Sequence, residues 1–249
     1  MRVKRVGFVV LALALVIVVW TFKGSEAAYE EADVTDGGTI AGAIKFIGTP
    51  PPPSPLEITK DLEACGKEPI MDESLVVGED GSVRWAVVSL TDVESGKKWD
   101  LPEAVLDQNG CVYRPHVLLV RAGEDVNALN NDGVLHNIHT FPEKNAPLNK
   151  AHPRFLKPPR KLVLKGKAFR TPETINVRCD IHPWMNAYIV AADHPYFAVT
   201  DKGGQFTLTN VPPGTYTLEV WQESLGKASQ QVTVEPNKTT TLTVPLEGK

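Results

Sequence analysis

The chain has 249 residues, of which 42% are hydrophobic and 22% charged, a composition that excludes disordered and collagen-like chains and can bury a sizeable core. Twenty-six Lys and Arg stand against 30 Asp and Glu for a net charge of -4. No basic stripe breaks that balance, so nucleic acid is not an expected partner. The 20 Pro and 19 Gly fall between short Val-, Ile- and Thr-rich runs, which argues against a helical bundle and predicts an all-β fold.

Arg2, Lys4 and Arg5 precede an uncharged stretch from Val6 to Phe22, and Ser25-Glu26-Ala27 offers a small-x-small cleavage pattern. Residues 1–28 therefore read as an export signal or as an uncleaved inner-membrane anchor. As a helix, residues 6–22 would span roughly 25 Å against a hydrocarbon core of about 30 Å, short but workable. Either reading places the bulk of the chain outside the cytoplasm, in the periplasm or an equivalent compartment.

Gly37 to Phe46 predicts a strand, stopped by the stiff run Pro50 to Pro53. Val83 to Leu90 predicts a second, and the polar stretch Asp92 to Asp100 a boundary. Val117 to Val120 and Val126 to Leu129 predict two strands around a turn. Pro142 to Pro159, rich in Pro and charge, predicts a long loop. Further strands are expected over Leu162 to Leu164, Ile175 to Cys179 and Tyr188 to Ala192. Past Asp193 the alternation is clean: Phe206 and Leu208, then Tyr216, Leu218 and Val220 across the turn Val211-Pro212-Pro213-Gly214, then Val232 to Val234 and Leu242 to Leu246. The expected organisation is an N-terminal β module over 34–100, a β-sandwich over 101–192 and a small β module over 193–249.

Three cysteines in an exported chain leave one unpaired. Cys65 and Cys111 sit in comparable loop settings and can close a disulfide, which leaves Cys179 free. A free thiol is a liability in an oxidising compartment unless a metal or a mechanism occupies it.

Cys179 opens the run Cys179-Asp180-Ile181-His182-Pro183-Trp184-Met185, directly after an expected strand. Thiolate, imidazole and thioether within one short loop can converge on one ion, and His136 is the natural fourth donor. Two His and a Cys with a weak axial Met are the ligand set of a blue-copper electron-transfer site. Zinc fits less well, because a thioether is an uncommon zinc ligand. His139 lies three residues from His136 and on a strand points to the other face. His116, His152 and His194 have no Cys or Met nearby in sequence.

Residues from about Tyr113 to Ala192 resemble the cupredoxins, and most of all the amicyanin branch. The carriers are Val117 to Asn131 with its Arg121-Ala122-Gly123-Glu124-Asp125 turn, then Leu135-His136-Asn137-Ile138, then the Cys-x-x-His-x-x-Met loop. The resemblance implies a Greek-key β-sandwich holding one type 1 copper on His136, Cys179, His182 and Met185. It implies that Asn137 ties the two ligand loops together, and that Pro183 and Trp184 form an apolar docking patch around an exposed edge of His182. The segments Thr200 to Phe206 and Val211 to Tyr216 are similar to the later half of a carboxypeptidase-regulatory-like, transthyretin-type β-sandwich. Gly38 to Gly48 and Val83 to Leu90 are candidates for its missing early half, which would insert the copper domain into that module.

The expected function is therefore single-electron transport between redox partners outside the cytoplasm. Candidate partners are c-type cytochromes or a periplasmic dehydrogenase or oxidase. The alternative is copper storage, delivery or sensing. No hydrolase signature appears, and six His cannot furnish a trinuclear copper cluster as well, so the chain is not expected to be an enzyme.

Overall fold

The computed structural model describes residues 29–154 and 161–248. The expected export segment, 1–28, with the tether 6–22, lies outside them. Among the described residues no helix is long and apolar enough to cross a membrane.

The protein is all-β. In chain order the strands are β1 (Glu30–Glu31), β2 (Gly38–Ile47), β3 (Val87–Thr91), β4 (Ser95–Gly96), β5 (Val105–Gln108) and β6 (Tyr113–Arg114). Then follow β7 (Val117–Arg121), β8 (Val126–Asn130), β9 (His136–Phe141), β10 (Asn149–His152), β11 (Leu162–Leu164), β12 (Glu173–Arg178) and β13 (Asn186–Ala192). The last five are β14 (Phe197–Val199), β15 (Gln205–Val211), β16 (Gly214–Gln222), β17 (Gly226–Val234) and β18 (Thr239–Glu247). Among the described residues a short helix, α1 (Leu62–Cys65), precedes β3, and a 3-10 turn covers Gly166–Phe169.

All of these strands but β1 and β4, which pair with each other, build two sandwiches. The first faces the sheet β10-β9-β12-β13-β7 against β11-β8-β5-β6, and the apolar alternation of both fills the space between them with Leu106, Val126, Ala128, Ile138, Ile175, Val177 and Ile189. The second faces β14-β3-β16-β17 against β15-β2-β18, around Ile40, Ile44, Leu90, Phe206, Leu218, Val232 and Val244. At Gly42 in the central strand β2, a Cβ would lie 2.4 Å from the Leu242 carbonyl of β18, so only glycine fits that approach.

Residues 34–100, expected as an N-terminal module, divide between the two sandwiches. β2 pairs with β15 and β18, and β3 with β14 and β16, so strands that precede the first sandwich in sequence are completed by strands that follow it. Between them, Leu56, Ile58, Ala64 and Ile70 pack against the core of the first sandwich, where Cys65 and Cys111 form a disulfide.

The sandwiches meet along β7 and β13. Val87, Val117 and Val190 are buried there among Trp85, Leu119, Tyr188, Phe197 and Trp221, and His116 is paired with Glu223. This explains why β13 reads as a nearly continuous apolar run, since its outer face is covered by the second sandwich.

The two strands expected around a turn over Val117 to Leu129 form as β7 and β8, and the turn carries the chain from one sheet to the other. Two expectations change. The strand expected from Val83 begins only at Val87, because Trp85 has φ 63°, a left-handed conformation that interrupts extended backbone. The loop expected over 142–159 contains an edge strand, β10, paired with β9. Three of its four side chains are exposed, so backbone hydrogen bonding forms it without an apolar pattern to announce it.

Candidate metal centre

Three elements assemble the site. His136 is the first residue of β9, Cys179 directly follows β12, and His182 and Met185 lie in the short connection from β12 to β13. β9 and β12 are hydrogen-bonded neighbours, which brings His136 beside that connection. The connection is closed on itself: the Cys179 amide donates to the Met185 carbonyl at 3.3 Å and the Met185 amide to the His182 carbonyl at 2.9 Å.

The structure brings His136, Cys179 and His182 together, one donor atom from each within 4.8 Å of the others. The two Nδ1 atoms stand 2.9 Å apart, and Cys179 Sγ lies 3.7 Å from His182 Nδ1. Both imidazoles are fully buried, as is Met185 in the same connection.

The outer nitrogens explain that geometry. His136 Nε2 donates to Asp132 Oδ2 at 2.9 Å, and His182 Nε2 donates to Asp61 Oδ2 at 2.8 Å. Carboxylates on both Nε2 atoms fix the tautomers, so both Nδ1 lone pairs point inward, at each other and at the sulfur. Three electron-rich atoms facing one another in a buried space repel unless a cation lies among them.

In the metal-free chain that cation is a proton. Burial works against charge on His136, but the Asp132 carboxylate and Cys179 overcome it and push its pKa up to about 9. Burial likewise opposes ionisation of Cys179. Hydrogen bonding from His136, the Asn137 amide and His182 overcomes that and brings its pKa down to about 6. Between those values the chain holds a thiolate beside an imidazolium, and a soft metal ion bound there would displace the proton.

Asn137 spans the two ligand segments: its Oδ1 accepts from the Asp180 amide at 2.7 Å and its Nδ2 donates to Asp180 Oδ2 at 2.7 Å and Asn149 Oδ1 at 2.8 Å. His139 faces away from the cluster, half-exposed, against Asp180 Oδ1 at 2.9 Å. The docking patch expected of Pro183 and Trp184 needs correction. Pro183 is exposed, but Trp184 is 9% exposed and donates its Nε1–H to the Cys111 carbonyl at 3.0 Å. His182 has no open edge, because Asp61 covers it.

Asp61 and Asp132 are the residues that sequence reasoning missed. Asp132 lies four residues before His136, a spacing that could have nominated it. Asp61 is 121 residues from His182 and carries no such signal.

His152 lies opposite His136 in the β9–β10 ladder, fully buried, with its Nδ1 accepting from Gln108 Nε2 at 2.5 Å. Burial, then the nearby His136 charge, push its pKa down to about 4. Its folded value is below the ordinary ~6.5, so the unfolded chain binds more protons between those pH values and stability falls as pH drops through that window. The loss is expected to reach about 3 kcal/mol by pH 4, read as a fall in urea midpoint of the metal-free chain. A His152→Gln protein should show a flatter profile, and a wild-type midpoint unchanged from pH 7 to 4 would contradict the assignment.

The carboxypeptidase regulatory-like domain family matches residues 182–247, a stretch that starts inside the β12–β13 connection and runs through β13 to β18. Among curated proteins none matches the chain. Among solved structures, the chain is similar to a Cu-containing nitrite reductase from Thermus scotoductus SA-01, at 20% identity over 39% of this chain and 24% of that one, TM-score 0.29. It therefore spans about a quarter of that enzyme's length. It is also similar to a purple cupredoxin from Nitrosopumilus maritimus, at 18% identity over 36% of this chain and all of the other, TM-score 0.29. A third likeness is to a reduced amicyanin variant, at 20% identity over 36% of this chain and 82% of the other, TM-score 0.27.

Proposed function

We propose that the chain is an exported type 1 copper protein that carries single electrons between redox partners, and that it is a carrier rather than an enzyme. The observation that supports this reading is the inward convergence of two tautomer-fixed Nδ1 atoms on a buried thiolate. Two nitrogens and a thiolate with a buried thioether in the same connection suit copper in either oxidation state, and the single Met favours copper over zinc.

Bound copper would supply a one-electron couple. The chain's contribution is to hold the donors still. Asp132 and Asp61 hold the imidazoles, Asn137 locks the ligand-bearing segments together, and the two sheets behind them are close-packed. Donors that do not move between oxidation states keep the reorganisation cost of electron exchange small. Rigidity of this kind favours transport over copper storage or delivery, which need an ion that leaves. The partners in this reading are redox proteins such as c-type cytochromes or a periplasmic dehydrogenase or oxidase, met outside the cytoplasm after export through residues 1–28, cleaved or retained as an anchor.

Titration of the purified chain with Cu(II), followed by visible absorption and EPR, tests the reading. The expected result is an intense sulfur-to-copper band at one copper per chain with narrow hyperfine splitting, and a reversible voltammogram. A colourless adduct with ordinary tetragonal copper spectra would overturn it. Colour with an irreversible voltammogram would favour copper handling instead.

A further inference from the structure

The second carboxylate, Asp61, has no counterpart in the sequence motif, and its local conformation is unusual. It stands at the N-cap of α1 with φ 48° and ψ 44°, in the left-handed region, and its side chain makes no capping bond to that helix. An N-cap aspartate ordinarily accepts from its own helix's amides, and left-handed backbone is uncommon away from glycine, with Asp and Asn the commonest exceptions. A residue held in such a conformation persists where surrounding contacts over-determine it, often at a functional site. Here the side chain gives up its cap and reaches His182 Nε2 instead.

The turn that carries Asp61 is anchored by the disulfide. The Cys65 amide donates to the Asp61 carbonyl at 2.8 Å, and Cys65 is bonded to Cys111. The amides of Gly110 and Cys111 donate to the Asp132 carboxylate at 2.7 and 3.0 Å, the same carboxylate that accepts from His136. One covalent link thus joins the segment that presents Asp61 to His182 with the segment whose amides anchor the Asp132 carboxylate at His136.

Building on the copper reading above, we propose that Asp61 is a positioning residue for the metal centre. Held over His182 by the Cys65–Cys111 bridge, its carboxylate fixes the inward direction of His182 Nδ1, closes the imidazole edge to water and places a negative charge one residue from the ion. Loss of that charge destabilises the oxidised ion more than the reduced one and so raises the reduction potential.

The test uses the full chain with Asp61→Ala and Asp61→Asn. In the metal-free protein, the ¹⁵N-attached His182 Nε2 proton should exchange slowly in wild type and in Asp61→Asn, which keeps an acceptor oxygen, and rapidly in Asp61→Ala. Copper affinity by chelator competition should fall about 10- to 100-fold in Asp61→Ala and stay near wild type for Cu(I) in Asp61→Asn, whose potential should nonetheless rise. A purely structural role would leave the Asp61→Asn potential unmoved. Unchanged proton exchange and affinity in Asp61→Ala would overturn the proposal. If wild type binds no copper, it is the copper reading that fails, and proton exchange in the metal-free variants still decides whether Asp61 orients His182.

Discussion

Copper-loaded Cys179→Ser protein is expected to be colourless, with the intense visible band proposed for the wild type lost outright rather than weakened. The band requires a sulfur donor, and a serine hydroxyl neither ionises near neutral pH nor offers a soft ligand. Cys179 is 2% exposed and directly follows β12, so the near-isosteric change should leave the sandwich folded, with a urea midpoint close to wild type. A second effect separates loss of the ligand from general damage. Burial and the Asp132 and Cys179 partners together set the His136 pKa at about 9; removing the thiolate leaves Asp132 alone to oppose burial, so the His136 value should fall below 9 when titrated by NMR in the metal-free variant. A retained visible band would exclude Cys179 as the donor, and an unchanged His136 titration would remove the thiolate from the account of the buried proton.

The parts of the site that lie close in sequence were the legible ones. Cys179, His182 and Met185 share one connection, and their spacing alone places three donors on a single turn of chain. His136 was nameable because it opens an apolar strand, and the alternation that separates its face from that of His139 is a local property. Asp61 belongs to a Pro-rich, weakly patterned stretch whose position depends on a disulfide and on the packing of Leu56, Ile58 and Ile70 against a distant core. No period or spacing encodes that contact. The same contact is why an open edge on His182 was the wrong expectation: the ligand motif specifies the inner shell, while what lies over it is decided by a segment about 120 residues away. β10 escaped for a different reason, since an edge strand with exposed side chains is held by its ladder and leaves little trace in composition.

Removing the bridge should have the largest effect on stability. Cys65 and Cys111 are 46 residues apart, and closing a loop of that length restricts the unfolded chain by an entropy equivalent to about 4 kcal/mol. The Cys65→Ala/Cys111→Ala chain is therefore expected to unfold at markedly lower urea than wild type, by roughly that free energy at equal m-value. Thiol counting under denaturing, non-reducing conditions checks the premise: one reactive thiol in wild type, from Cys179, and two in Cys65→Ala. The metal centre should respond asymmetrically. Asp132 remains attached through the Gly110 and Cys111 amides, which the substitution keeps, whereas the Asp61 turn loses its covalent anchor. His136 should thus retain its carboxylate partner while the His182 Nε2 proton exchanges faster, as in Asp61→Ala. Equal protection of both imidazole protons in the bridge-free chain would show that packing of the 54–71 segment, and not the disulfide, holds Asp61 over the histidine.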